Sequence, residues 1–161
     1  MEVYDRMDKQ MADVVACDLM RNDFMQKGWA VSTLASWLRQ GCKCTYCGCD
    51  MLQSRDMAYY GQCADHILPK GKYPDLASSE WNMVLACSSC NHIKAQMDPN
   101  KVGGPVYTDK PLEQEQVATL ISRARKYIED RRKELDLVYQ QQQFAIRNAL
   151  LACSSSKDPI R

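Results

Sequence analysis

The chain has 161 residues, of which 45% are hydrophobic and 25% charged, and its formal net charge is +1. This composition is typical of a globular protein, and the length is sufficient for one domain with a hydrophobic core and helical extensions. No stretch of about 18 apolar residues is present, so we expect no contact with a membrane. Residues 1–10 are charged and lack the apolar segment of a secretion signal, which favours a cytoplasmic, reducing location.

Residues 1–41 are predicted to form an N-terminal helical segment. Apolar residues recur at helical spacing in two stretches, namely Tyr4, Met7, Met11, Val14 and Val15, and then Leu34, Trp37 and Leu38. Gly28 separates the stretches, Ser32 is the candidate N-cap of the second helix, and Gly41 is its candidate stop. We interpret both helices as scaffold elements.

Residues 42–100 differ in composition from the first segment, because glycine, proline and cysteine separate short stretches of other residues. Residues 62–68 are predicted to form a strand that ends before Pro69, residues 82–86 a second strand, and residues 88 to about 97 a helix. This order predicts a ββα unit, and therefore an α+β fold with flanking helices.

Residues 101–161 are predicted to contain a linker and one long helix, with Pro111 in the first helical turn. The buried face of this helix is expected to consist of apolar residues at helical spacing, namely Val117, Leu120, Ile121, Ala124, Tyr127, Ile128, Leu135 and Val138.

Nine cysteines in a reducing location call for an explanation other than disulfide bonds. Cys44 and Cys47 form one CxxC pair and Cys87 and Cys90 form another. Each pair has the spacing that brings two thiolates onto one ion, and two pairs complete a tetrahedral structural zinc site. Cys42 is an alternative ligand beside the first pair, and reduced core cysteines or a redox pair are the competing interpretations.

Polar residues of the type found in active sites lie between and just after the two cysteine pairs. The segments that carry them are Cys44–Cys47, Ala64–Gly71, Asn82–Cys87 and Cys90–Lys94. Together these segments, which span about a third of the chain, resemble the HNH endonucleases. The resemblance implies a ββα-metal core that is stabilised by two zinc knuckles. The first knuckle is the CxxC turn at Cys44–Cys47 and the second is the turn at Cys87–Cys90. The resemblance also implies metal-dependent hydrolysis of phosphodiester bonds in DNA, with double-stranded DNA nicked or cut.

The resemblance further implies a role for each matching residue. His66 would be the general base that activates water, Asp65 a metal ligand, and Asn82 the residue that ties the loop and orients the base. Phosphodiester hydrolysis needs such a base and a cation that stabilises the leaving oxygen, and oxygen ligands favour Mg²⁺ or Mn²⁺. Alternation along a strand would direct Asp65 and His66 to opposite faces, unless the strand ends or twists there.

The third position of the family motif has two candidates in this chain. Asn91 has the family spacing to Lys94 and shares a helical face with it, whereas His92 is rotated from Asn91 by about 100°. We therefore predict Asn91 as the second oxygen ligand of an HNN-like variant, with His92 as the alternative. Lys94 and Lys70 are predicted to contact DNA phosphates.

A non-catalytic zinc module that binds nucleic acid or a protein is the alternative function, since it needs the cysteine pairs but not His66. The flanking helices would allow a homodimer, which would let a unit that nicks one strand break both. Domains of this kind occur in restriction, mobile-element and phage-defence systems, and nothing in the sequence selects among these.

Overall fold

The computed structural model describes residues 9–21, 31–108 and 111–155. Two strands form an antiparallel sheet with helices around it, which confirms the predicted α+β class. In chain order the elements are α1 (Lys9–Arg21), α2 (Val31–Arg39), α3 (Arg55–Tyr59), β1 (Gln62–His66), β2 (Met83–Cys87), α4 (Ser88–Lys94) and α5 (Gln114–Ser155). Short 3₁₀ turns lie at Pro74–Leu76 and Pro99–Lys101.

The sheet pairs β1 with β2 so that Gln62 lies opposite Cys87 and His66 opposite Met83. Strand β1 ends two residues earlier than predicted. The amide of Leu68 is bound by the side chain of Asn82 and not by a partner strand, so the chain turns away from the ladder there. This early end places His66 at the last position of the strand.

Helix α4 follows β2 directly and packs against β1. Its N-cap is Cys87, whose sulfur accepts a hydrogen bond from the Cys90 amide. The helix ends at Lys94 and not near residue 97 as predicted, because Ala95 has a φ of 45°, in the left-handed region that stops a helix. The ββα unit is therefore continuous from Gln62 to Lys94.

Helices α1 and α2 pack together through a small apolar cluster formed by Ala12, Ala16, Leu34 and Ala35. The apolar residues at helical spacing in α1 are not all buried, because Met11 and Val14 are 60% and 56% exposed. Alanines bury better than the longer side chains here because they allow the two helices to approach closely. Tyr4, Met7 and Gly28 lie outside the described residues.

Two predicted helix starts are also wrong. Helix α2 begins at Val31, so Ser32 lies inside it and is not its N-cap. Helix α5 begins at Gln114, so Pro111 precedes it. Boundaries are the least certain part of a sequence-based prediction, since capping residues resemble those of nearby loops.

Helix α5 has 42 residues and is therefore about 63 Å long, at roughly 1.5 Å per residue. Its first half packs on the main core through Val117, Leu120, Ile121, Ala124 and Ile128. The prediction that Tyr127, Leu135 and Val138 continue this buried face is wrong, because all three are exposed. The helix continues beyond the core, which offers apolar surface to its first half only. In the described part of the chain, no helix combines the length and the apolar character that a membrane crossing requires.

Candidate metal centre and active site

The four cysteines of the two CxxC pairs converge. The sulfur atoms of Cys44, Cys47, Cys87 and Cys90 all lie within 4.8 Å of one another. Cys42 is not in this group, so the structure selects the first pair as Cys44 and Cys47. Four thiol ligands from two CxxC turns are the donor set of a structural zinc site, and the cluster is consistent with one.

Backbone hydrogen bonds hold these sulfur atoms in place. The Cys87 amide donates to Cys44 Sγ at 3.2 Å, and the Cys90 amide donates to Cys87 Sγ at 3.4 Å. The first knuckle is closed by a turn at Gly48, whose φ of 73° favours glycine. The Thr45 amide donates to the Leu85 carbonyl at 2.9 Å, which joins this knuckle to β2. The cluster is thus assembled by the backbone.

The four thiols of the cluster affect one another's ionisation. Hydrogen bonds from Cys87 and Cys90 lower the pKa of the Cys44 thiol, whereas hydrogen bonds with Cys44 and Cys87 raise the pKa of Cys90. One thiolate is therefore stabilised mainly by hydrogen bonds from neighbouring thiols that stay protonated, and repulsion between negative sulfur atoms further opposes a second ionisation. A divalent cation would remove that repulsion and allow all four to ionise.

His66, at the end of β1, is half-buried and faces the loop between the strands. Its Nε2 lies 2.9 Å from the Ala77 carbonyl oxygen. A carbonyl only accepts hydrogen bonds, so Nε2 carries the proton in the neutral ring and Nδ1 has the lone pair. This arrangement leaves Nδ1 as the atom that is able to accept a proton from water.

Asn82 is fully buried and binds the loop that faces His66. Its side-chain oxygen accepts from the Leu68 amide at 2.8 Å, and its side-chain nitrogen donates to the Leu68 and Leu76 carbonyls at 3.0 and 3.2 Å. Because Leu76 immediately precedes Ala77, these bonds hold the carbonyl that contacts His66. The side chain thereby spans the base of the loop.

Asp65 points to the opposite side of β1 from His66, as strand alternation predicts, and is only 8% exposed. Its Oδ2 accepts from the Tyr46 hydroxyl at 2.5 Å and lies 3.1 Å from Lys94 Nζ. The pKa of the Tyr46 phenol is raised well above its usual value by burial and then by the charge of Asp65, so the hydroxyl stays protonated. Tyr46 belongs to the first knuckle and therefore connects the cysteine cluster to Asp65.

Lys94 is 1% exposed and lies in the interior between α4 and β1. In addition to its ion pair with Asp65, it donates to the His66 carbonyl at 2.7 Å. In this structure the ammonium group faces Asp65 and not the surface, which differs from the expectation that it contacts a DNA phosphate.

Asn91 is half-buried on α4, one turn before Lys94. Burial raises the pKa of the Cys63 thiol on β1, and hydrogen bonding to Asn91 opposes this rise. Cys63 and Asp65 lie on the same face of β1, so Asn91 and Lys94 face this strand face at successive positions. His92 is exposed on the other side of α4, and Lys70 is exposed in the loop after β1.

The structure brings together residues that the sequence had not connected. Tyr46 contacts Asp65, and Arg132 of α5 donates to Cys90 Sγ at 3.1 Å. Neither residue had a distinguishing signal, since Tyr46 is one aromatic residue within a knuckle and Arg132 is one of many charges on α5. The sequence alone does not show which face of α5 packs on the core, so it could not distinguish Arg132 from the other charged residues of the helix.

Four converging cysteines lie beside a ββα unit, which is the arrangement that the resemblance to HNH endonucleases implies. Residues 44–96 match the family model described as HNH endonuclease. The matched segment contains both cysteine pairs, both strands and α4, which confirms the resemblance and identifies this part of the chain as an HNH domain. Helices α1, α2 and α5 lie outside the match. No curated protein matches the sequence.

Proposed function

We propose that the chain is a metal-dependent endonuclease that hydrolyses phosphodiester bonds in double-stranded DNA, by nicking or cutting. The HNH family is a nuclease family, and the match at residues 44–96 supports nuclease activity in general. The observation that carries the proposal is the bond from His66 Nε2 to the Ala77 carbonyl, since it presents Nδ1 as a proton acceptor. His66 is then the general base, and Asn82 positions it by holding the loop that contains Ala77.

Asp65 and Asn91 are the residues that would hold the catalytic cation. A carboxylate and an amide oxygen form a hard donor set, which fits Mg²⁺ or Mn²⁺. The Asp65 carboxylate is already paired with the Lys94 ammonium, so a divalent cation would compete with Lys94 for its oxygens. When bound, the divalent cation would stabilise the negative charge that develops on the leaving oxygen. His92 remains the alternative ligand.

The four-cysteine cluster would hold a structural Zn²⁺ that braces the fold. We assign the DNA phosphate contact to Lys70, which is exposed in the loop after β1. A phosphate contact by Lys94 would require its ion pair with Asp65 to open. We therefore propose that Lys94 serves first as the internal partner of Asp65.

We further propose that the protein acts in the cytoplasm and forms a homodimer through its helices. The second half of α5 supports a homodimer, because it exposes large apolar residues such as Leu137, Phe144 and Ile146. Static light scattering tests this: a mass of two chains supports the dimer, and a mass of one chain at micromolar concentration contradicts it.

The proposed activity is tested by a supercoiled-plasmid assay in Mg²⁺, Mn²⁺ and Zn²⁺, with His66→Ala beside the wild type. We expect the wild type to cut in Mg²⁺ or Mn²⁺ and the variant to lose roughly 10²- to 10⁴-fold in rate, which is the usual contribution of a general base. His92→Ala is the matched control and should retain cleavage.

Zinc content and melting temperature show whether His66→Ala is folded. If the folded variant cuts like the wild type, the assignment of His66 is wrong. If the wild type binds DNA but cuts with none of the three metals, the chain is a non-catalytic zinc module.

A further inference from the structure

Helix α5 contacts both knuckles, although it lies outside the segment that matches the family. Arg125 Nε donates to the Thr45 carbonyl of the first knuckle at 2.8 Å. Arg132 Nη2 donates to Cys90 Sγ of the second knuckle at 3.1 Å. The two arginines are seven residues apart and therefore lie on one face of the helix, about 10.5 Å from each other.

The contact of Arg132 differs from those of its neighbours on the helix. Arg131 pairs with Glu134, and Lys133 pairs with Glu129 at 2.8 Å, and all four of these side chains are exposed. Arg132 is half-buried and its guanidinium points at a sulfur atom. Ile128, one turn earlier, is buried in the main core and fixes the rotation of the helix.

A cation at this place has a specific electrostatic effect. Four thiolates around one Zn²⁺ carry a net charge of about −2, which is costly in a partly buried site. The amide bonds to Cys44 and Cys87 offset part of this charge with dipoles. A guanidinium bonded to Cys90 adds a full positive charge, and a charge-assisted hydrogen bond is roughly twice as strong as a neutral one.

We propose that Arg132 is a positioning residue of the zinc site, which retains the metal by hydrogen bonding to the Cys90 thiolate from outside the HNH domain. This inference depends on zinc occupancy of the four-cysteine cluster but not on nuclease activity. It makes α5 a part of the metal centre. Outer partners of metal ligands typically contribute about 10- to 100-fold in metal affinity.

The test measures zinc retention in the full chain. Purified wild type, Arg132→Gln and Arg132→Lys are loaded with Zn²⁺, and the transfer of zinc to a chromogenic chelator is followed with time. Arg131→Gln is the matched control, because it removes a guanidinium from the adjacent position, where the partner is an exposed carboxylate. Cobalt substitution reports in parallel whether four sulfur ligands are retained, through the sulfur-to-metal absorption band.

We expect Arg132→Gln to release zinc about 10- to 100-fold faster than the wild type. Arg132→Lys should lie between the two, because it keeps the charge but not the planar donor group. Arg131→Gln should match the wild type. If Arg131→Gln binds Zn²⁺ but Arg132→Gln does not, the rates of zinc release from the wild type and Arg132→Lys are compared instead.

Equal rates of zinc release from the wild type and Arg132→Gln would overturn the inference. It would also be overturned if Arg131→Gln accelerated release as much as Arg132→Gln does, or if Arg132→Lys released zinc as fast as Arg132→Gln. A wild type that binds no zinc would overturn the zinc site itself. That result is distinct from failure of the Arg132 inference.

Discussion

The cysteine cluster and the proposed catalytic residues of the HNH domain differ in how their side chains are paired. In the cysteine cluster, four sulfur atoms converge within 4.8 Å and the backbone orients them. At the proposed catalytic edge, each candidate side chain has a protein partner: Asp65 has Lys94, and His66 has the Ala77 carbonyl.

This difference distinguishes the cysteine cluster from the proposed cation site at Asp65. The cysteine cluster is arranged around a shared centre, so a cation would bind with little rearrangement of its ligands. Asp65 already has the ammonium of Lys94 at 3.1 Å, so a divalent cation would have to compete with an internal one. We therefore expect tight, fold-determining binding at the first site and weaker, exchangeable binding at the second.

The largest expected effect comes from the cysteine cluster. Cys90→Ser, or removal of zinc by a chelator, should unfold the HNH domain. Structural zinc contributes on the order of 10 kcal/mol or more, which equals or exceeds the stability of a typical domain. Near-ultraviolet circular dichroism and limited proteolysis measure the loss. Cys153→Ser, outside the cluster, is the control, and a Cys90→Ser variant as stable as this control would contradict a structural role.

The fold of the central third was predictable from sequence because its signals are local and strong. Two CxxC pairs fix two turns, and the order of strand, loop, strand and helix follows from apolar runs separated by glycine and proline. The exposed positions of Leu135 and Val138 were not predictable, because helical periodicity continues whether or not a core is present to cover it.

For the candidate site, the sequence predicted members but not the contacts between them. His66, Asn82 and Asp65 came from the resemblance to HNH endonucleases, and their membership of a catalytic site stays a prediction. The burial of Lys94 was missed, because lysine is almost never fully buried unless it is paired and the sequence does not show the distance to Asp65. Tyr46 was missed for the same reason: its contact with Asp65 joins positions that are far apart in the chain.

The next effect tests the competition at Asp65. Lys94→Met should destabilise the protein by about 3–5 kcal/mol, because it leaves a buried carboxylate without its partner cation. Millimolar Mn²⁺ should then raise the melting temperature of the variant more than that of the wild type, since the metal no longer competes with the ammonium. Lys101→Met, at an exposed position, is the control. Equal shifts with Mn²⁺ in the variant and the wild type would contradict binding at Asp65.

A smaller effect is expected at Asn82. Asn82→Ala leaves the Leu68 amide and the Leu68 and Leu76 carbonyls without their side-chain partner. Each buried group that loses its hydrogen bond costs about 1–3 kcal/mol. Partial rehydration of the loop should keep each of the three near the lower end, so we expect a total loss of about 3 kcal/mol. Chemical denaturation measures the loss. Asn148→Ala on the exposed part of α5 should leave the stability unchanged. If the two variants are equally stable, Asn82 does not hold the loop.

The smallest effect distinguishes the two candidate ligands on α4. Asn91→Ala should weaken Mn²⁺ binding by about tenfold, equivalent to roughly 1.4 kcal/mol, because one of the few protein ligands is lost. His92→Ala should leave the affinity unchanged, since its side chain is exposed on another face of the helix. Calorimetric titration of the zinc-loaded protein measures both variants, and unchanged zinc content shows that the cysteine cluster is intact. The reverse result, with His92→Ala weakening Mn²⁺ binding and Asn91→Ala not, would assign the ligand to His92 and would require α4 to begin with an irregular turn when the metal is bound.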